Sequence, residues 1–285
     1  MTLQVNLTTD AVTGLARSGA TLYAARTSGL YRSVDGGATW QNTFAKLDEG
    51  LAATAVAALD QTVFVGTKGA VLRSDDAGDT WHISGLVTPP PLVVGLAVSP
   101  NFAEDGTVLA GTAEDGVFVS TDRGASWVPW NFSLLDLNVY ALALSPHYAQ
   151  DHTVYVGTES GIFRSSNGGR GWRELPFPMD VAPVLALGVS ANGTIYAGTE
   201  DHGLYASTDG GAAWTQIKAS GSVQTLDVSA ALNALLPDQL WHSIDGGQSW
   251  SEHHFATTES ALSLLPDGEN VFVGWSDGAI TRVTP

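Results

Sequence analysis

SVDGGATW at 33–40, SDDAGDTW at 74–81, STDRGASW at 120–127, SSNGGRGW at 165–172, STDGGAAW at 207–214 and SIDGGQSW at 243–250 share one pattern, Ser-x-Asp/Asn-x-Gly-x-x-Trp. Six copies do not arise by chance. Successive serines are 41, 46, 45, 42 and 36 residues apart, a mean of 42. That period suits one four-stranded blade of a propeller. Over 285 residues it calls for about 6.8 units, so a seventh, degenerate repeat is expected.

The segments before the motifs locate it. Each reads as an apolar strand, a turn, a second strand ending near Gly-Thr, a tight turn and a third strand, as in LALSPHYAQDHTVYVGTESGIFRS. LSLLPDGENVFVGWSDGAITRV at 262–283 follows the same order but carries no motif. The alternating stretch at 3–8 supplies its missing fourth strand, and pairing the two ends would remove exposed sheet edges. The expected fold is all-β: a seven-bladed propeller of four-stranded antiparallel blades, closed by the N-terminal strand joining the C-terminal blade. It forms one domain, 1–285, with blades near 12–47, 53–90, 93–136, 139–180, 184–221, 223–257 and 261–285 plus 1–9.

The motif reads as scaffold. Ser33, Asp35 and Trp40 recur as Ser74, Asp76 and Trp81, as Ser120, Asp122 and Trp127, and as Ser165, Asn167 and Trp172. Ser207, Asp209 and Trp214, then Ser243, Asp245 and Trp250, complete the set. The side-chain oxygens can accept backbone N–H bonds inside a hairpin. Gly37, Gly78, Gly124, Gly169, Gly211 and Gly247 share a place where positive φ is expected. Tryptophan adds an apolar plate at the blade edge. Asn167 keeps an acceptor but has no acid–base capacity, and six copies around a ring cannot converge on one substrate.

Composition narrows the partners. Twelve Lys plus Arg against 29 Asp plus Glu give a formal charge of -17, which repels phosphate backbones and anionic lipids. Nucleic acid and membrane insertion are not expected. A basic protein, a cation or a neutral glycan suits this field, which also serves solubility. With no cysteine there is no disulfide, thiolate metal site or thiol nucleophile. The start, MTLQVNLTTD, has neither a basic nor an apolar leader region, so the protein is expected to be cytoplasmic, or secreted if a signal was removed. A monomer without cofactor or metal is expected.

The sequence resembles the BNR or Asp-box repeat family of propellers, within the sialidase-like superfamily, over nearly the whole chain. That resemblance implies the fold and not one function, because the motif decorates sialidases, xyloglucan-degrading hydrolases, sortilin-type receptors and photosystem II assembly factors. It places the motifs on the periphery, away from the functional face. A sialidase-like activity would imply an arginine triad, a Tyr-Glu pair and a Phe/Tyr-Arg-Ile-Pro motif. The last is absent, and Arg32, Arg73, Arg164 and Arg282 hold one repeat-equivalent place on four blades. The xyloglucanase-like relatives imply two facing propellers, and this chain has length for one. Single-ring photosystem assembly factors are nearest in size, yet they imply an arginine-rich patch where this chain is acidic.

Histidines do not assemble a metal site: His253 and His254 would point to opposite faces of a strand, and His147 and His152 fall in a repeat turn whose counterparts are Asn101 and Gly106. Candidate ligand contacts are the second-to-third-strand turns and the connections between blades. The turns offer Glu114, Asp115, Glu159, Glu200, Asp201 and Asp277. The connections add Phe44, Asp48, Glu49, Trp130, Asp136, Phe177, Asp180, His254, Phe255 and Glu259. The Gly-Thr pair of four consecutive blades becomes Arg26-Thr27, Leu236-Pro237 and Gly274-Trp275 in the other three, which are neighbours in a closed ring. Either Arg26, Trp275 and Asp277 with the 253–259 loop form a specialised patch, or the terminal blades drift because closure relaxes their packing. The expected function is a non-catalytic binding or assembly scaffold for a protein or glycan. The alternative is a glycan-active hydrolase using mouth carboxylates, and a ligand-free repeat protein selected for stability is a third reading that the uneven spacing disfavours.

Overall fold

A computed structural model describes residues 10–45, 47, 51–86, 90–179 and 182–285. Within them the chain forms seven antiparallel sheets at 12–42, 55–85, 92–129, 139–174, 184–218, 225–254 and 261–283, blades 1 to 7 in order. Six sheets have four strands, and three strands of blade 7 are described. The expected fourth strand at 1–9 lies outside the described residues. Two four-residue helices, Phe102–Asp105 and Tyr148–Asp151, sit in first-to-second-strand turns. His147 and His152 flank the second helix as Asn101 and Gly106 flank the first, with His152 left-handed at φ 49°. No described helix is long and apolar enough to cross a membrane.

Each blade is too thin to bury its own faces, so the core lies between blades. Leu109, Val117 and Val119 of blade 3, for example, pack on Val139, Val154 and Phe163 of blade 4. Blade 7 packs on blade 1 in the same way and closes the ring. Ser263 Oγ donates to the Val12 carbonyl at 2.9 Å, and Arg17 pairs with Asp267 at 2.6 Å.

The motif hairpins fasten these junctions. In all six, the buried serine hydroxyl donates to the Asp or Asn Oδ1 at 2.7–2.9 Å and accepts the N–H of the glycine four residues on at 2.7–2.9 Å. That glycine has φ between 83° and 100°, and the residue before it is left-handed too, even where it is Ala77 or Arg123. The glycine lies flush on the preceding blade. A Cβ at Gly124 would stand 2.7 Å from Phe64 and one at Gly247 2.7 Å from Ile217, while Gly37 faces Phe272 across the closure. Arginines before the motif reach forward: Arg32 Nη1 donates to the Ala77 carbonyl at 2.9 Å and Arg73 Nη1 to the Arg123 carbonyl at 2.7 Å. Hydrogen bonds from Thr39 and Ser33 hold the Asp35 carboxyl at about 2, and those from Thr80 and Ser74 do the same for Asp76. Such carboxylates are turn anchors, far from the range of a general base at neutral pH.

A second junction explains the Gly-Thr pair. A Cβ at Gly66, Gly111, Gly157, Gly198 or Gly274 would lie 2.5–2.8 Å from a side-chain carbon of Val93, Val139, Val184, Val223 or Val12, at the start of the next blade. Strand register corrects two of the sequence pairings: the equivalents are Ala25-Arg26 in blade 1 and Leu235-Leu236 in blade 6, each one residue earlier than aligned. Ala25 shares a core cluster with Ala53, and Leu235 shares one with Ala261. Glycine therefore meets valine, alanine meets alanine and leucine meets alanine, so every such junction keeps a glycine or an alanine on at least one side. The altered pairs on one arc thus stand at packed junctions between blades.

The pairing is testable in blades 6 and 7. Leu235→Gly alone should cost at least the ~2–5 kcal/mol of truncating a buried leucine, and Ala261→Val alone ~1–3 kcal/mol by overpacking. Urea unfolding of the double variant should recover ~1–3 kcal/mol of their sum; strictly additive losses would contradict the pairing.

Candidate binding face

Antiparallel alternation puts the second-to-third-strand turns and the blade connections at one end of the ring, and the motif hairpins at the other. The two loop sets brace each other. Gly116 N donates to Leu137 O at 3.0 Å, Glu200 N to Pro183 O at 3.0 Å and Ser276 N to Ser260 O at 2.9 Å. Ser160 N donates to Asp136 Oδ2 at 2.7 Å, and Asn138 Nδ2 to Glu159 Oε2 at 2.8 Å. At the axis the inner strands enclose a cavity of about 300 Å³ lined by Thr13, Val94, Tyr140, Leu187, Gln224 and Ser263, among others. Among the described residues no carboxylate lines it. The acidic turns are set outside this channel.

The sequence-derived candidates separate into two groups. Glu114, Glu159, Asp201 and Asp277 are exposed on turns, and Asp115 and Glu200 are half-buried beside them. Glu259 accepts the Ser276 hydroxyl at 2.7 Å and ties a connection to the blade 7 turn. His254 is exposed, with Nε2 3.9 Å from Glu252, while His253 turns the other way onto Phe255. Among the described residues no three His, Cys, Asp or Glu side chains are placed to hold a metal ion.

The aromatic candidates are packing groups. Trp275 is 6% exposed, stacks edge-on against Phe255 at 4.7 Å and donates its indole N–H to Thr281. Phe44 is buried against Trp81, and Phe177 lies between Tyr205 and Trp214. Trp130 sits at the periphery, under the Arg170 guanidinium at 4.7 Å, and its carbonyl accepts the Trp172 indole. Arg26 pairs with Asp10 at 3.4 Å and stacks over Tyr31 at 4.8 Å. Of Arg26, Trp275 and Asp277, the first two are largely buried and the third is exposed. Asp48, Glu49 and Asp180 lie outside the described residues.

Three residues went unnoticed in the sequence. Leu135 and Leu137, in the connection from blade 3 to blade 4, are 79% and 38% exposed, and Tyr140 at the head of the blade 4 inner strand is 36% exposed. Between the leucines, Asp136 accepts the amides of Asn138 and Ser160. Burial works to raise its carboxyl, and those hydrogen bonds more than offset this and hold it below the ordinary value. Burial raises the Tyr140 phenol, as do the negative charges of Glu159, Asp136 and Glu200 around it. An aromatic ring at the channel mouth thus lies within the field of three carboxylates, and the connection that leads to it carries two exposed leucines. The signal in the sequence was LLDLN at 134–138, an apolar run in a segment with no strand period.

No family model matches the sequence, and no curated protein matches it. Solved structures are similar in fold. A structure of YCF48 bound to D1 peptide is 15% identical at TM-score 0.78, covering 97% of this chain and 94% of that one. YCF48 from Cyanidioschyzon merolae is 17% identical at TM-score 0.71, covering 99% and 98%. The GH74 xyloglucanase from Xanthomonas campestris is 18% identical at TM-score 0.78, covering 96% of this chain and 52% of that one. This chain thus spans about half of the hydrolase, and the likenesses establish a β-propeller.

Trp275→Ala should cost ~3–5 kcal/mol of unfolding free energy in a denaturant titration, as for a core aromatic, whereas Glu159→Gln on the open turn should stay within ~0.5 kcal/mol. Equal effects would place Trp275 on the surface.

Proposed function

We propose that this chain is a non-catalytic binding scaffold of the BNR/Asp-box kind, docking a cationic, partly apolar segment of a protein partner on its loop face. The observation that carries this reading is the Tyr140 sector, where exposed Leu135 and Leu137 adjoin Asp136, Glu159 and Glu200 on braced backbone. From Glu114 round to Asp277, the turns and connections of blades 3 to 7 contain acidic residues and no lysine or arginine. A basic segment would be attracted by this arc and oriented by the ring at its edge.

Similarity to YCF48, described bound to D1 peptide, supports a protein segment as the ligand class for a ring of this size. The hydrolase alternative needs a carboxylic acid held protonated across a cleft from a second carboxylate. Asp136, at the centre of the sector, is held ionised, and the similar xyloglucanase is about twice as long.

Fluorescence anisotropy with labelled synthetic peptides that interleave Lys or Arg with Leu or Phe tests the reading. Tyr140→Ala should weaken the best binder ~10-fold or more, and Glu159→Gln with Glu200→Gln should weaken it and flatten its salt dependence. Affinity unchanged by all three substitutions, or turnover of a glycoside lost with Asp136→Asn, would overturn it.

A further inference from the structure

One row of blade 6 breaks the repeat at the opposite end of the ring. Asp227, Asn233 and His242 are cross-strand partners on the first three strands of that blade. The equivalent rows are Ala16, Tyr23 and Arg32 in blade 1, Ala143, Tyr155 and Arg164 in blade 4, and Leu265, Phe272 and Arg282 in blade 7. Elsewhere a large second-strand side chain meets the motif hairpin of the next blade: Phe64 lies under Gly124, Phe272 under Gly37, and the Tyr196 hydroxyl reaches Gly246 O at 3.5 Å. The blade 7 repeat has no motif, and among the described residues no hairpin covers Asn233, which is the small polar exception. A crevice of about 240 Å³ opens there between Asn233 and His242 on one side and Pro266, Glu269 and Val271 on the other.

Its free hydrogen-bonding groups are mostly acceptors. His242 Nδ1 lies 2.8 Å from Asn233 Oδ1, an atom that only accepts, so Nδ1 carries the proton and Nε2 of the neutral ring is an acceptor. The Asn233 side chain is bonded to Asp227, and Ser229 Oγ donates to Asp227 Oδ2 at 3.1 Å. Asn270 Oδ1 accepts the Thr284 hydroxyl. Asp227, His242 Nε2 and the Glu269 carboxylate remain as acceptors beside the donor Nδ2 of Asn270, and among the described residues no lysine or arginine lines the crevice. Burial pushes the Asp227 carboxyl up, as expected for a carboxylate lacking a cation.

We propose that the crevice between blades 6 and 7 is a second binding site, for a primary alkylammonium group, with Asp227 as its counter-ion, His242 Nε2 as a further acceptor and Glu269 at the rim. Its volume falls below the ~300–1,000 Å³ of sites for drug-sized ligands and suits one linear chain, either a free alkylamine or a lysine side chain. The site is independent of the loop face and of the peptide reading, because it lies at the other end of the sheets.

The test is calorimetric titration of the intact chain with n-pentylammonium, with N-acetyl-lysine methylamide and with neutral n-pentanol as control. The ammonium probes should bind, pentanol ~10-fold or more weakly, and Asp227→Asn should lower the ammonium affinity ~10-fold without lowering the melting temperature. Ammonium binding favours the ionised carboxylate, so affinity should fall as pH drops through the raised Asp227 pKa, in a crevice that His242 and Glu269 also face. Asn233→Tyr, which restores the repeat residue, should fill the crevice and abolish binding while the ring stays folded. Preference for the lysine derivative would identify a protein partner, and equal binding a free amine; either upholds the site. Absence of ammonium binding at millimolar concentration, pentanol binding as tightly, or full affinity in both variants would overturn it.

Discussion

The buried serine oxygen that receives a glycine amide within each motif hairpin is the bond on which the ring depends. It holds two successive left-handed residues, a conformation that costs free energy for Ala77 and Arg123 and is therefore sustained by its surroundings. So fixed, the hairpin presents bare backbone to the blade behind it, and Phe64, Ile217 or Phe272 fills the space that a side chain would take. A blade that cannot bury its own faces gains a neighbour at a set angle. Repeated round the axis, this contact converts thin sheets into one rigid body.

Most of the architecture was legible because the motif is local chemistry: a serine, an acceptor two residues on and a glycine two further on state a turn, and their spacing states a period. The Asn167 copy shows why the reading was safe, since its Oδ1 accepts the Gly171 amide at 2.9 Å as the aspartates do in theirs. What escaped was information carried between blades. Gly111 cannot reveal that Val139 presses on it, and the packing of Leu235 with Ala261 looks in sequence like a lost consensus. Alignment alone placed two of the three altered pairs a residue late, where strand register is decisive.

Which candidate side chains are exposed was harder to read for the same reason. Trp275, Phe44 and Trp130 were sensible candidates on residue type, but large aromatics are what junctions between blades consume. The exposed groups are ordinary leucines and a tyrosine whose placement depends on where a connection emerges. The acidic turns were visible, and the uncharged channel beside them was not. Both ends of the ring thus carry features unrelated to closure: an apolar and acidic sector among the loops, and a polar row where hairpin cover is missing.

Amide hydrogen exchange at Gly37, Gly78, Gly124, Gly169, Gly211 and Gly247 tests the ring lock most directly. Each donates to a buried serine oxygen, and the account predicts that all six exchange together and only through global opening, with a free energy near that of unfolding, ~5–15 kcal/mol. The amide of Leu135 should exchange many orders of magnitude faster. Motif glycines exchanging as freely as Leu135, or one hairpin opening without the rest, would contradict the claim that these hairpins hold the blades in register.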